Sequence, residues 1–107
     1  MSLKISYLIL CVLGLLLPLS QLAPWLISNG LNISLLFQEL FSTQIGGFFG
    51  LDVIVSAVVL LAFIFIEGQR LNIKKLWLPI VATLTVGVSF GFPLFLYMRQ
   101  VKIENEV

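Results

Sequence analysis

Few side chains in this sequence are equipped for polar chemistry. Its 107 residues hold five carboxylates (Glu39, Asp52, Glu67, Glu104 and Glu106), one thiol at Cys11, and no histidine. The acids never fall as the adjacent pair that acid-base hydrolysis uses, and no serine or cysteine has a histidine to activate it. A lone cysteine inside an apolar run excludes a disulfide scaffold and a Cys/His metal centre. The missing histidine also removes the commonest axial ligand for haem and chlorophyll. No catalytic residue and no metal site are therefore expected, and the chain is read as not an enzyme. Asp52 is the most informative single residue, because a carboxylate within an apolar helix costs about 2.5 to 3.5 kcal/mol at full membrane depth. Ser56 lies one turn further on, and Glu67 shares a stripe with Ser56 and Phe63, which forms a polar line expected to face protein. Asp52 is then either the coupling site of a small oligomeric carrier or ion-conducting protein, or a packing or partner contact. Its position about two turns inside the span favours the second.

The elements that must position these residues follow from composition. With 60% hydrophobic and 10% charged residues, a soluble domain of this size could not cover its apolar surface. The net charge of +1 excludes binding to nucleic acid by phosphate neutralisation. The reading is an all-α integral membrane protein in one domain over residues 1–107. Three transmembrane helices are expected, at about residues 5–26, 46–66 and 76–98, each near the roughly 20 residues that cross a hydrocarbon core. A cleaved signal at the N-terminus is rejected because no small-x-small site precedes Pro24. Residues 31–42 form a short amphipathic segment, with Ile33, Leu36, Phe37, Leu40 and Phe41 on one face, expected to lie along the interface or, equally, to cap the other spans as a packed helix. Pro18 removes the donor that would reach the Gly14 carbonyl, and Pro93 does the same to Ser89, where the hydroxyls of Ser89 and Thr85 are expected to compensate. Residues 101–107 are expected to fray.

Three spans place the chain ends on opposite sides. Lys4, Arg70, Lys74 and Lys75 fall on one side and Arg99 and Lys102 on the other, which puts the N-terminus in the cytoplasm and the C-terminus across the membrane. Tyr7 and Trp77 are expected at the inner interface, Trp25 and Tyr97 at the outer one. Two ridges of small residues, Gly46, Gly50 and Ala57 in the second span and Thr83, Gly87 and Gly91 in the third, let helix backbones approach and are read as packing surfaces. The contacts expected are membrane lipids and larger membrane-protein subunits.

The ordered motifs Phe48-Phe49-Gly50-Leu51-Asp52, Phe65-Ile66-Glu67-Gly68-Gln69-Arg70, Trp77-Leu78-Pro79 and Pro93-Leu94-Phe95-Leu96-Tyr97 carry a resemblance over nearly the whole chain. It resembles a family of small three-span membrane proteins of unknown function common in cyanobacteria. More narrowly, it is similar to an accessory subunit of photosystem I in a cyanobacterium that uses chlorophyll d. That resemblance implies a thylakoid location, a photosystem I core as partner, and a non-enzymatic supporting role at the edge of a pigment complex. No cofactor is held firmly by the residues themselves. Chlorophyll and carotenoid are expected at the complex interface, with Asn29, Gln38 or Gln44 as possible axial contacts.

Overall fold

The structure is a computed structural model and describes residues 2–106. Five helices follow one another: α1 (Leu3–Asn29), α2 (Ile33–Leu40), α3 (Gln44–Arg70), α4 (Trp77–Thr85) and α5 (Val88–Glu106). Side chains at the helix starts set several of these boundaries. The Ser2 hydroxyl accepts the Ile5 N–H at 3.3 Å, the Asn32 amide oxygen accepts the Leu35 N–H at 3.0 Å, and the Thr43 hydroxyl accepts the Gly46 N–H at 2.9 Å, each satisfying a donor that the first helical turn leaves open. α1 ends at Gly30, whose φ of 69° is the left-handed conformation that glycine adopts most readily.

α1 and α3 are long and apolar enough to cross a membrane, and few of their residues are buried within the chain. A third helix over 76–98 is not formed. The backbone breaks at Val86 and Gly87, where Gly87 has φ of 130° and donates its N–H to the Ala82 carbonyl at 3.2 Å. Only glycine takes that φ without a steric penalty. The break turns the chain back on itself, so α4 and α5 form a helical hairpin. Thr83 and Gly91 face each other across it, four residues either side of the turn, and a Cβ at Gly91 would overlap the Thr83 side chain. The second ridge of small residues is therefore the inner seam and turn of a hairpin rather than one stripe on one helix. At nine residues, α4 rises about 14 Å, roughly half a hydrocarbon core.

The direction of each helix follows from the ion pairs. Lys4 at the start of α1 meets Glu104 near the end of α5 at 3.4 Å, and Glu67 near the end of α3 meets Arg99 of α5 at 2.7 Å. The two ends of the chain consequently lie at the same end of the molecule. This corrects the expectation of termini on opposite sides. All six basic residues, Lys4, Arg70, Lys74, Lys75, Arg99 and Lys102, gather at that end. Tyr97, expected at the far interface, lines a cleft there with Lys4 and Leu8. The C-terminal segment expected to fray continues α5 as helix to Glu106.

Within this frame the hairpin is the filling. α5 lies along the first half of α1, α3 packs on both arms of the hairpin, and α1 and α3 make no close backbone approach to each other. Leu60, Ile64 and Phe95 form the buried centre, joined by Ile73, Leu76, Ile80 and Val88. Phe63 meets Phe95 and Phe92 edge to face, with centroids 5.4 and 6.4 Å apart, an orientation that aligns the ring edge with the electron-rich face.

α1 and α5 cross closely enough that a Cβ on Gly14 would overlap the Ser89 backbone. Pro18 leaves the Gly14 carbonyl without its helical donor, and the Ser89 hydroxyl donates to that carbonyl at 2.9 Å. In turn Pro93 leaves the Ser89 carbonyl free, and this oxygen sits where a Cβ on Gly14 would be. The Gly14 Cα–H thus faces a carbonyl, a weak contact common where helices cross closely. The hydroxyl expected to repair the Pro93 kink locally instead repairs the one at Pro18, on a different helix. The other expected hydroxyl, on Thr85, donates to Val81 at 2.7 Å.

Two measurements test this arrangement. In a Cys11→Ala background, cysteines placed at Ser2 and Asn105 are expected to react with a membrane-impermeant maleimide from the same side, and one at Ser28 from the other; labelling of position 105 together with 28 would restore a third full span. Gly14→Val is expected to lower stability in detergent by at least about 2 kcal/mol through overpacking, and Ser89→Ala by about 1 kcal/mol through one lost interhelical hydrogen bond. Unchanged unfolding of Gly14→Val would place the crossing elsewhere.

Candidate functional site

Polar side chains concentrate at two places. The first is a charge cluster at the basic end, where the buried Glu67 accepts from both arginines. Arg70 Nε and Nη2 donate to Glu67 Oε1 and Oε2 at 2.6 and 3.1 Å, and Arg99 Nε donates to Oε2 at 2.7 Å. Such two-pronged contacts of guanidinium on carboxylate are charge-assisted and geometrically specific. Arg70 is the neighbour one turn along α3 and stands mostly in the open, whereas Arg99 comes from α5 and is largely covered. Arg99 therefore does the joining, and Arg70 completes the neutralisation. Next to it, Gly68 lets Leu76 pack where a Cβ would stand, which brings the loop after α3 back beneath the hairpin. Glu67 was legible as part of a polar line, but its partner Arg99 was assigned to the opposite side.

The second place is the half of the molecule beyond the hairpin turn. A cleft of about 460 Å³ between α3 and α5 is lined by Val55, Ser56, Val59, Phe63, Val88 and Phe92. Ser56 is half-buried there. Asp52 lies one turn beyond it toward α2, exposed and without a hydrogen bond or ion pair among the described residues. The expected line from Asp52 through Ser56 to Glu67 is thus divided: Glu67 and Ser56 turn toward the chain's own helices and Asp52 does not. Neither Thr43 nor Gln44 reaches it, since the Thr43 hydroxyl caps α3.

The remaining candidates sit at the same end as α2. Asn29 donates to the Trp25 carbonyl at 3.1 Å and Gln38 to the Ser34 hydroxyl at 3.4 Å, while Gln44 is exposed at the start of α3. The structure does not bring these three together. Trp25 donates its indole N–H to Glu39, which ties α2 back to α1. Gly46 and Gly50 seat the end of α2: a Cβ on Gly46 would meet the Leu40 carbonyl, and one on Gly50 the Leu40 and Phe41 side chains. The first small-residue ridge therefore holds the short amphipathic helix against α3, while Ala57 is half-buried further along. Gly14 and Gly68, which make approaches as close, lacked a small partner at helical spacing and gave no such signal. Among the described residues, no group of three His, Cys, Asp or Glu side chains is placed to hold a metal.

If the charge cluster clamps α3 to α5, Arg99→Leu is expected to destabilise the protein by about 2 kcal/mol, and Arg70→Leu by less than about 1 kcal/mol because that side chain is exposed. Thermal unfolding in detergent would decide it; equal losses would make the cluster a surface pair.

The model of a family described as a protein of unknown function, DUF2834, matches residues 6–101. No curated protein and no solved structure matches the chain.

Proposed function

The chain belongs to the DUF2834 family, and from that premise we propose that it is a non-enzymatic accessory subunit that stabilises a larger assembly within a membrane. The observation that carries the proposal is Asp52, a carboxylate exposed on an apolar helix with no partner among the described residues of its own chain. In hydrocarbon such a group needs a partner, and a neighbouring subunit is the source that also covers the apolar flanks. Leu17, Phe48, Val55, Val58 and Val59 are each more than half exposed around the same open half. The exposed apolar flanks of α1 and α3 offer packing surface, which suits a supporting role.

In this reading the basic end lies in the cytoplasm or its equivalent, because loops rich in Lys and Arg remain on that side. Both termini then face that compartment. The finer form rests on the resemblance alone: the assembly is photosystem I, the membrane is the thylakoid, and chlorophyll tails and carotenoid fill the open half against α1 and α3.

Gentle extraction, native separation and mass identification of companions test the proposal. Co-migration with larger polypeptides is expected, and Asp52→Leu is expected to release the chain from them. A pigment spectrum in the same band would support the photosynthetic form. A homo-oligomer whose cation flux is lost in Asp52→Leu, with assembly intact, would replace the subunit reading with that of a small carrier.

A further inference from the structure

A cleft of about 330 Å³ lies at the basic end between the loop after α3 and the last turns of α5. Its rim is polar, with Lys74, Lys102, Tyr97 and Asn105, and its floor is apolar, with Ile73 and Met98. That volume is within the range of small-ligand pockets, roughly 300 to 1,000 Å³. Among the described residues, no carboxylate lines it. Of the described acids nearby, Glu67 is occupied by two arginines and Glu104 by Lys4 and Gln100.

The loop holds Lys74 in place. Asn72 and Lys75 on either side of Ile73 and Lys74 both take left-handed backbone, with φ of 56° and 61°. For asparagine this is common and for lysine it is not; such strain is kept where surrounding contacts fix it. Here the Ile73 N–H is bonded to the Gly68 carbonyl at 2.8 Å and the Ile73 side chain packs on the core. Lys74 is exposed and has no hydrogen bond or ion pair among the described residues, whereas Lys102 is engaged within the chain and adds its charge to the rim.

We propose that this cleft binds the headgroup phosphate of an anionic phospholipid, with Lys74 as the cation that meets it. The assignment rests on the membrane location of the chain, though not on its having a partner subunit. An amphipathic ligand fits best because the rim offers donors and positive charge while the floor offers apolar surface. Tyr97 in the rim, with Trp77 at the start of α4, marks the headgroup level where such a ligand is found. A phosphodiester accepts hydrogen bonds from ammonium, amide and phenol donors together, and its glycerol and upper acyl carbons cover Ile73 and Met98.

The test uses the full chain in nanodiscs of equal phosphatidylcholine and phosphatidylglycerol, released into native mass spectrometry, with the ratio of retained lipids as readout. Wild type is expected to retain phosphatidylglycerol in excess. Lys74→Gln should reduce that excess about fivefold, the equivalent of one headgroup charge, while Lys75→Gln, which makes the same charge change outside the cleft, leaves it nearly unchanged. Equal losses from the two variants would reduce the effect to the diffuse field of the basic end and overturn the site. Retention of both lipids in the bulk ratio, or full displacement of phosphatidylglycerol by millimolar inorganic phosphate, would overturn it as well. Loss of lipid preference with companions still bound separates this proposal from the subunit reading.

Discussion

Where no water reaches the backbone, every carbonyl that a proline strips of its donor must find another partner, and this requirement decides how α1 and α5 meet. Pro18 and Pro93 expose the carbonyls of Gly14 and Ser89, one on each helix. The two residues face each other, so one hydroxyl and one missing Cβ settle both. Ser89 donates to Gly14, and the absence of a side chain at Gly14 admits the Ser89 carbonyl. Once that crossing is set, α5 must run back along the first half of α1. Its last turns then reach Lys4, and Arg99 comes level with Glu67. The hairpin, the charge cluster and the position of both termini all follow from a single close approach.

A hairpin that ends partway leaves the molecule in two unlike halves. In the basic half, α1 and α3 are kept apart by the packed hairpin: Phe95, Ile64 and Leu60 at the centre, aromatic edges around them, and an ion cluster at the rim. In the other half the short α2 links the two long helices, fastened to α1 by Trp25 and Glu39 and seated on α3 at Gly46 and Gly50. Polar satisfaction follows the same division. Glu67 is fully engaged in the packed half, and Asp52 has no partner among the described residues in the open half.

What the sequence made legible was local. Apolar length marks α1 and α3 well, since each is a 27-residue helix, and the amphipathic pattern around Phe37 and Leu40 marks α2. The prolines identify which carbonyls lose their donors. The third span was misread because residues 76–98 are as apolar as a true span, and hydropathy measures composition rather than direction. A hairpin and a helix of equal composition are alike to it. The sign of the turn was nevertheless present: Gly87 has Thr83 and Gly91 at equal distances on either side, which suits two arms pressed together as well as it suits a ridge. Among the candidate site residues, Ser56 and Glu67 do turn inward. Their partners could not be named while Arg99 was placed at the wrong end, because a pairing of residues 32 positions apart depends on topology and not on spacing.

Charge offers an independent check on the hairpin. With three full spans, Arg99 and Lys102 would lie at the end holding Glu39, and the separation of basic residues would be four against two. With the hairpin, every lysine and arginine collects at one end, which is the more complete form of the asymmetry that orients membrane proteins. It also removes the need to move two cations across the bilayer, where each costs about 2.5 to 3.5 kcal/mol at mid-depth. The same topology explains why Glu67 needs two arginines: α3 and α5 both end here with their basic residues, and a single buried carboxylate between them relieves a repulsion that would otherwise push the hairpin away from α3. The opposite end has no such device. Among the described residues, neither of its acids, Glu39 and Asp52, meets a cation, and Glu39 alone has a donor, from Trp25. A chain whose buried Glu67 is held by two arginines at one end, and whose Asp52 meets no partner among the described residues at the other, is built to be finished by something that approaches from the Asp52 side.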